Sequence, residues 1–293
     1  MVSNSMVSSD NVTVKSQLGG MQVVEYKRDM SVNALMSKME FFCSQMNVNR
    51  RQLVLNLNGN SYMIQAGAMQ WIQGSVKMDT GIKPGKILGK MMGAAVTGET
   101  MAKPIYSGMG QMMLEPTYRH ILLTDLDEWN GNVVLDDGLF LACDAGLEHK
   151  IVKRSNVATA VLGGEGIFNL AVNGRGILAL ESIVPKEEIL EITLQNDMIK
   201  IDGNMAMAWS GSLDFTVEKS AKSLIGSAVS GEGFVNVYRG TGKIWMAPLL
   251  SSGSAGETNT SENASEGNTG SAAGKSGTLE RLEKLSSFLD KFK

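Results

Sequence analysis

The sequence predicts a mostly β chain built from three similar units, on the strength of three observations. A motif recurs with a period of about 66 residues, short apolar runs alternate with Gly and Asn-Gly punctuation, and thirty-three glycines stand against five prolines. The pairs Gly98-Glu99, Gly164-Glu165 and Gly231-Glu232 lie 66 and 67 residues apart. Gly110, Gly176 and Gly242, each closing a Gly-x-Gly, lie 66 apart. Each copy reads as Gly-Glu, a strand, a Gly-x-Gly turn and a second strand. Three units with the same apolar surface to bury pack most economically about a pseudo-threefold axis.

Taken in order, residues 1–20 read as a loose, Ser- and Asn-rich arm, and Gln22 to Tyr26 is the first strand. Between Ser31 and Met46 the apolar positions Leu35, Met36, Met39, Phe42, Cys43 and Met46 recur at three and four, which predicts a helix with one apolar face. Asn58-Gly59, between Leu53–Leu57 and Tyr62–Ile64, predicts a two-residue hairpin in a type I′ turn, and Asn130-Gly131, Asp137-Gly138 and Asp202-Gly203 repeat that punctuation. The β domain spans 21–250, with repeats at roughly 52–116, 130–182 and 194–249. Residues 251–277 hold no aromatic and read as a disordered linker. In 278–293 the stripe Leu279, Leu282, Leu285, Phe288, Leu289 and Phe292 predicts a tethered amphipathic helix, with Thr278 as its cap and Glu280 in its first turn.

Composition excludes several classes. A net charge of -3 argues against nucleic acid as the main partner, because phosphate binding needs a clustered basic face. Two cysteines, Cys43 and Cys143, form no disulfide framework and suit a reducing compartment. No apolar run reaches the roughly 18 residues of a membrane span. The first twenty residues resemble neither a secretory nor a mitochondrial leader. The expected location is the cytoplasm.

Candidate chemistry is sparse. His120 and His149 are the two histidines and Cys143-Asp144 precedes His149 closely, yet nothing has the CxxC or HxxxH spacing of a metal site, so no cofactor is expected. Gly274-Lys275-Ser276 lacks the first glycine and the preceding strand of a phosphate-binding loop. Glu99, Glu165 and Glu232 form either a ring of carboxylates near the axis or caps on glycine turns. Trp71, Trp209 and Trp245 fall at strand positions suited to core or interface, and twenty methionines suit irregular cores and adaptable contact surfaces.

The segments Ile64–Trp71, Asp137–Asp144, Gly163–Phe168 and Gly231–Val235, in that order, resemble the mitochondrial biogenesis family called altered inheritance of mitochondria, over about residues 40–250. The resemblance implies a fold like that of the tryptophan RNA-binding attenuation protein, a short double-stranded β-helix or sandwich repeated three times. It implies no enzyme activity and no catalytic residues. The chain departs from the family in lacking a mitochondrial leader and in adding the linker and terminal helix, which suits a bacterial cytoplasmic protein.

The leading expectation is a non-catalytic interaction or scaffold protein, with a protein partner or a second copy held through the C-terminal helix. The alternative is a ligand- or RNA-binding module. A partner or anionic membrane surface is expected where Lys83, Lys86 and Lys90, Lys150, Lys153 and Arg154, and Lys219 and Lys222 accompany apolar residues just before the Gly-Glu pairs.

Overall fold

A computed structural model describes residues 9–80, 103–153, 168–202, 205–219 and 234–249, all within the first of two units of the chain, Met1–Gly253. The strands, in order, are β1 (Val12–Leu18), β2 (Met21–Tyr26), β3 (Arg51–Asn56), β4 (Ser61–Ile64), β5 (Met69–Asp79), β6 (Ile105–Leu114), β7 (His120–Asp125) and β8 (Asn132–Leu135). Then come β9 (Phe140–Asp144), β10 (Glu148–Lys153), β11 (Phe168–Asn173), β12 (Ile177–Ser182), β13 (Leu190–Asp202), β14 (Ala206–Ser210), β15 (Asp214–Lys219) and β16 (Phe234–Met246). The helix α1 (Ser37–Gln45) lies between β2 and β3 and is shorter than the 31–46 stretch expected. Residues 12–18, placed by sequence in a loose arm, pair antiparallel with β2; β1 is a sheet edge, and its side chains are mostly exposed.

Two antiparallel sheets result. Nine strands run in the order β1-β2-β3-β6-β4-β9-β12-β7, with β5 also paired to β6. Seven run β10-β11-β8-β14-β16-β13, with β15 also paired to β16. The larger sheet curls until β1 approaches β7, in the barrel-like manner that strand twist favours. Met21, Leu53, Leu55, Tyr62, Met112 and Leu114 fill its curl. A second core joins Trp129, from the short 3-10 turn before β8, with Val133, Phe140, Cys143, Val172, Leu178 and Trp245, which come from both sheets. A third, around Trp209, Tyr238 and Ile244, belongs to the smaller sheet. Trp129 and Trp245 meet edge to face with centroids 5.0 Å apart, and each indole N–H is satisfied, by Thr124 and Glu191 respectively.

Three long connections leave the sheets from similar hairpins. β5 pairs with β6, β10 with β11, and β15 with β16, and the connection in each lies outside the described residues. The strands before the first turn also pair with the strands after the last: the start of β5 with the end of β6, β9 with β12, and β14 with β16.

Two expectations about turns are corrected. Asn58-Gly59 does not close a hairpin, because β3 and β4 pair with successive parts of the same edge of β6 and run in one direction. Only Gly59 has positive φ there, +88°, whereas a type I′ turn needs it at both central residues. The Gly-x-Gly segments are turns in one copy of three. Gly174-Arg175-Gly176 separates β11 from β12, where the chain passes from the smaller sheet to the larger, but β6 runs unbroken through Gly108–Gly110 and β16 through Gly240–Gly242.

The glycines in the unbroken strands are there for contact. Gly110 faces Gly74 across the β5–β6 ladder, and a Cβ on Gly110 would stand 2.0 Å from the Gln73 carbonyl oxygen. Gly242 is not at positive φ; a Cβ there would stand 2.8 Å from the Ser210 Cβ and 2.9 Å from the Leu213 Cγ. We therefore expect Gly110→Ala to cost about 3 kcal/mol through forced separation of two backbones. Gly59→Ala, which meets nothing within 4 Å and bears only the left-handed strain, should cost about 1 kcal/mol. Urea unfolding of the two variants checks the order, and equal costs would refute the contact argument.

Candidate functional site

The corner between β9 and β10 brings together the residues with the most chemical potential. Cys143 Sγ lies 3.6 Å from His149 Nε2, and the imidazole stands edge-on to Phe140 with centroids 5.2 Å apart. Asp144, next in sequence, turns the other way and accepts the Ile177 backbone N–H at 2.7 Å. Cys143 has no exposed surface, and burial, reinforced by the Asp144 charge, pushes its thiol far above the usual range. A thiol held protonated is neither nucleophile nor metal ligand, since both roles belong to the thiolate. Burial also raises the Asp144 carboxyl. His120, on β7, is lowered chiefly by burial and then by the nearby Arg51 charge. Among the described residues no group of three or more His, Cys, Asp or Glu side chains is placed to hold a metal ion.

The basic residues expected to form a partner surface are divided by the described boundary. Lys83, Lys86, Lys90, Arg154 and Lys222 lie outside the described residues, as do Glu99, Glu165, Glu232 and the tail stripe Leu279, Leu282, Leu285, Phe288, Leu289 and Phe292. Lys150 is exposed on β10, an edge of the smaller sheet, where it pairs with Ala171; Lys153 ends the same strand opposite Phe168. Lys219 ends β15 opposite Phe234. In the smaller sheet β8 and β14 stand between the β10–β11 hairpin and β16, so Lys150 and Lys153 share one hairpin and Lys219 stands on another.

A second site, not anticipated from sequence, lies beneath α1. A cavity of about 540 Å³ is walled on one side by Ser37, Glu40, Phe41, Ser44 and Gln45 of the helix, and on the other by residues including Glu25, Asp29, Arg50 and Tyr118. A chain of polar contacts crosses it. Arg50 pairs with Asp29 and donates from Nε to the Tyr118 hydroxyl at 2.8 Å, and that hydroxyl donates to Glu40 on α1 at 3.1 Å. Arg51, at the start of β3, is almost wholly buried and pairs with Glu25 at 2.7 Å. Its remaining donors reach the Asn47 side chain and the carbonyls of Asn47, Asn49 and Tyr118. The one local signal for this site was an Arg-Arg pair opening an apolar strand, where the second arginine must point inward.

The helix turns its apolar stripe outward. Its polar positions face the cavity, while Leu35, Met39, Phe42 and Met46 of the predicted apolar face are exposed, and α1 contributes no buried residue.

Comparison with known proteins gives three findings. Residues 43–249 match the model of the family described as mitochondrial biogenesis AIM24. An uncharacterized protein of Streptococcus pyogenes serotype M6 is 32% identical over 201 residues, covering 66% of this chain and 78% of that protein. The crystal structure of a Streptococcus pyogenes protein aligns at 27% identity with a TM-score of 0.53, covering 80% of this chain and 97% of the other.

Thiol titration of the native chain with an aromatic disulfide should show rapid reaction at Cys43 and none at Cys143 until denaturant is added, since only Cys43 has exposed surface. Fast reaction of both would refute the sealed corner. Replacing Arg51 by methionine leaves the Glu25 carboxylate without its buried partner, and should cost about 3–5 kcal/mol in urea unfolding. A loss below about 1 kcal/mol would show that the pair is dispensable.

Proposed function

The chain belongs to the mitochondrial biogenesis AIM24 family, and on that premise we propose that it is a non-catalytic scaffold of the cytoplasm that works by holding other proteins. The observation that carries this reading is the contrast between sealed chemistry and open apolar surface. Cys143, which is fully buried, and the half-buried His149 and Asp144 are committed to one another or to the backbone. Large apolar side chains instead stand exposed in groups, on α1 and along β5 at Met69, Ile72 and Met78. Contiguous apolar surface on a folded chain marks a site of association. Among the described residues no helix is long and apolar enough to cross a membrane.

The finer architecture belongs to the same proposal. The hairpins β5–β6, β10–β11 and β15–β16, each with a glycine shortly before its first strand and a Gly-x-Gly within or just after its second, are equivalent units about a pseudo-threefold axis. On that reading the three basic connections between their strands gather at one end, as a rim around apolar residues. The net charge of -3 favours a protein ligand for this rim over nucleic acid.

Affinity recovery of the tagged full chain from native lysate, with and without nuclease, tests the reading. The expected result is a protein recovered in fixed ratio, insensitive to nuclease and diminished when Lys83, Lys86 and Lys90 are changed to glutamate. Recovery of RNA that nuclease abolishes would overturn it in favour of a nucleic-acid module, and turnover of a small molecule by the purified chain would overturn the non-catalytic assignment.

A further inference from the structure

We propose that α1 is the seam of a homodimer, in which the stripe Leu35, Met39, Phe42 and Met46 of one copy packs on the same stripe of a second across a two-fold axis. The proposal rests on the interaction reading only in taking exposed apolar surface as a contact surface. It commits that surface to a single occupant, another copy of this chain.

The first support is the helix's orientation. Spacings of three and four put Ser37, Glu40, Ser44 and Gln45 on one face, and these line the cavity toward the sheet. The opposite face carries Leu35, Met39, Phe42, Cys43 and Met46, with Leu35 89%, Met39 52%, Phe42 57% and Met46 75% exposed. A nine-residue helix with no buried side chain has too few turns to be stable on propensity, so the apolar stripe needs a cover.

Area and charge choose the cover. Together with the neighbouring Met30, the stripe offers on the order of 600 Å² of exposed apolar surface, approaching the roughly 800 Å² that one partner contributes to a stable protein interface. The helix carries one cation, Lys38, and one anion, Glu40, so two copies meet without net repulsion. A helix adapted to lie on an anionic membrane carries a polar face rich in lysine and arginine, whereas the polar face here is Ser37, Glu40, Ser44 and Gln45. A two-fold contact uses one patch twice and is satisfied by a stripe complementary to itself. Methionines supply the adaptable packing that such a self-contact requires.

Sedimentation velocity of the full chain over a range of concentrations gives the test. The wild type should be dimeric, and Phe42→Glu and Met46→Glu should each weaken dimerisation by about tenfold or more. Met198→Glu, at an equally exposed methionine on β13, should leave dimerisation unchanged. Because the stripe buries nothing within one copy, the melting temperature of the variants should match the wild type, which separates a lost seam from a failed fold. Helices packed across the axis lie 8–10 Å apart. A short bismaleimide should therefore join the two copies through Cys43, and Cys43→Ser should abolish the cross-linked band. A monomeric wild type, or a dimer indifferent to Phe42→Glu, would overturn the proposal. So would binding to vesicles of anionic phospholipid by a monomer, lost in Phe42→Glu. A monomer that still recovers its partner protein from lysate would overturn the dimer and leave the scaffold reading standing.

Discussion

The buried guanidinium of Arg51 is the point on which the N-terminal half of the molecule turns. It pairs with Glu25 of β2 while donating to the chain leaving α1 and to the connection between β6 and β7. Burying an ion pair is costly, and the cost is offset only when most donors find acceptors in good geometry. Here one side chain supplies that geometry for three separate segments. It fixes where α1 ends, and through the adjacent Arg50 and Tyr118 it fixes which face of α1 looks inward. A polar anchor is thus what turns the helix's apolar side outward.

The sheets obey a different constraint, the closeness of backbones. β6 is flanked along its whole length, by β5 on one edge and by β3 and then β4 on the other. Its glycines let the β5 backbone approach where a side chain would hold it off. Between β11 and β12 the same Gly-x-Gly, at Gly174 and Gly176, carries the chain from one sheet into the other. One sequence motif therefore has two structural outcomes, decided by what lies across from it.

That duality explains what was and was not legible in the sequence. The β class, the helix near residues 37–45 and the apolar stripe on it follow from local periodicity, and all are present. Asn58-Gly59 does not close a hairpin because β6, the strand with which both β3 and β4 pair along one edge, arrives some fifty residues later in the chain. Local turn chemistry carries no record of such a partner. The direction in which α1 faces was hidden for a similar reason, since it depends on Tyr118 reaching back to Glu40. Cys143 and His149 are close in sequence, but that burial would make the thiol inert depends on a core assembled from both sheets.

The placement of α1 also bears on how such chains diverge. The span shared with the family begins at residue 43, inside the helix, so Leu35, Met39 and Phe42 precede it. Because α1 contributes no buried residue, a substitution on its outer stripe meets little resistance from folding stability, and on the dimer reading it is judged by association. On that reading, two related chains in one cell would come to recognise only themselves through a few exchanges between residues 35 and 46, while the β body beneath stays under the stricter rule of packing.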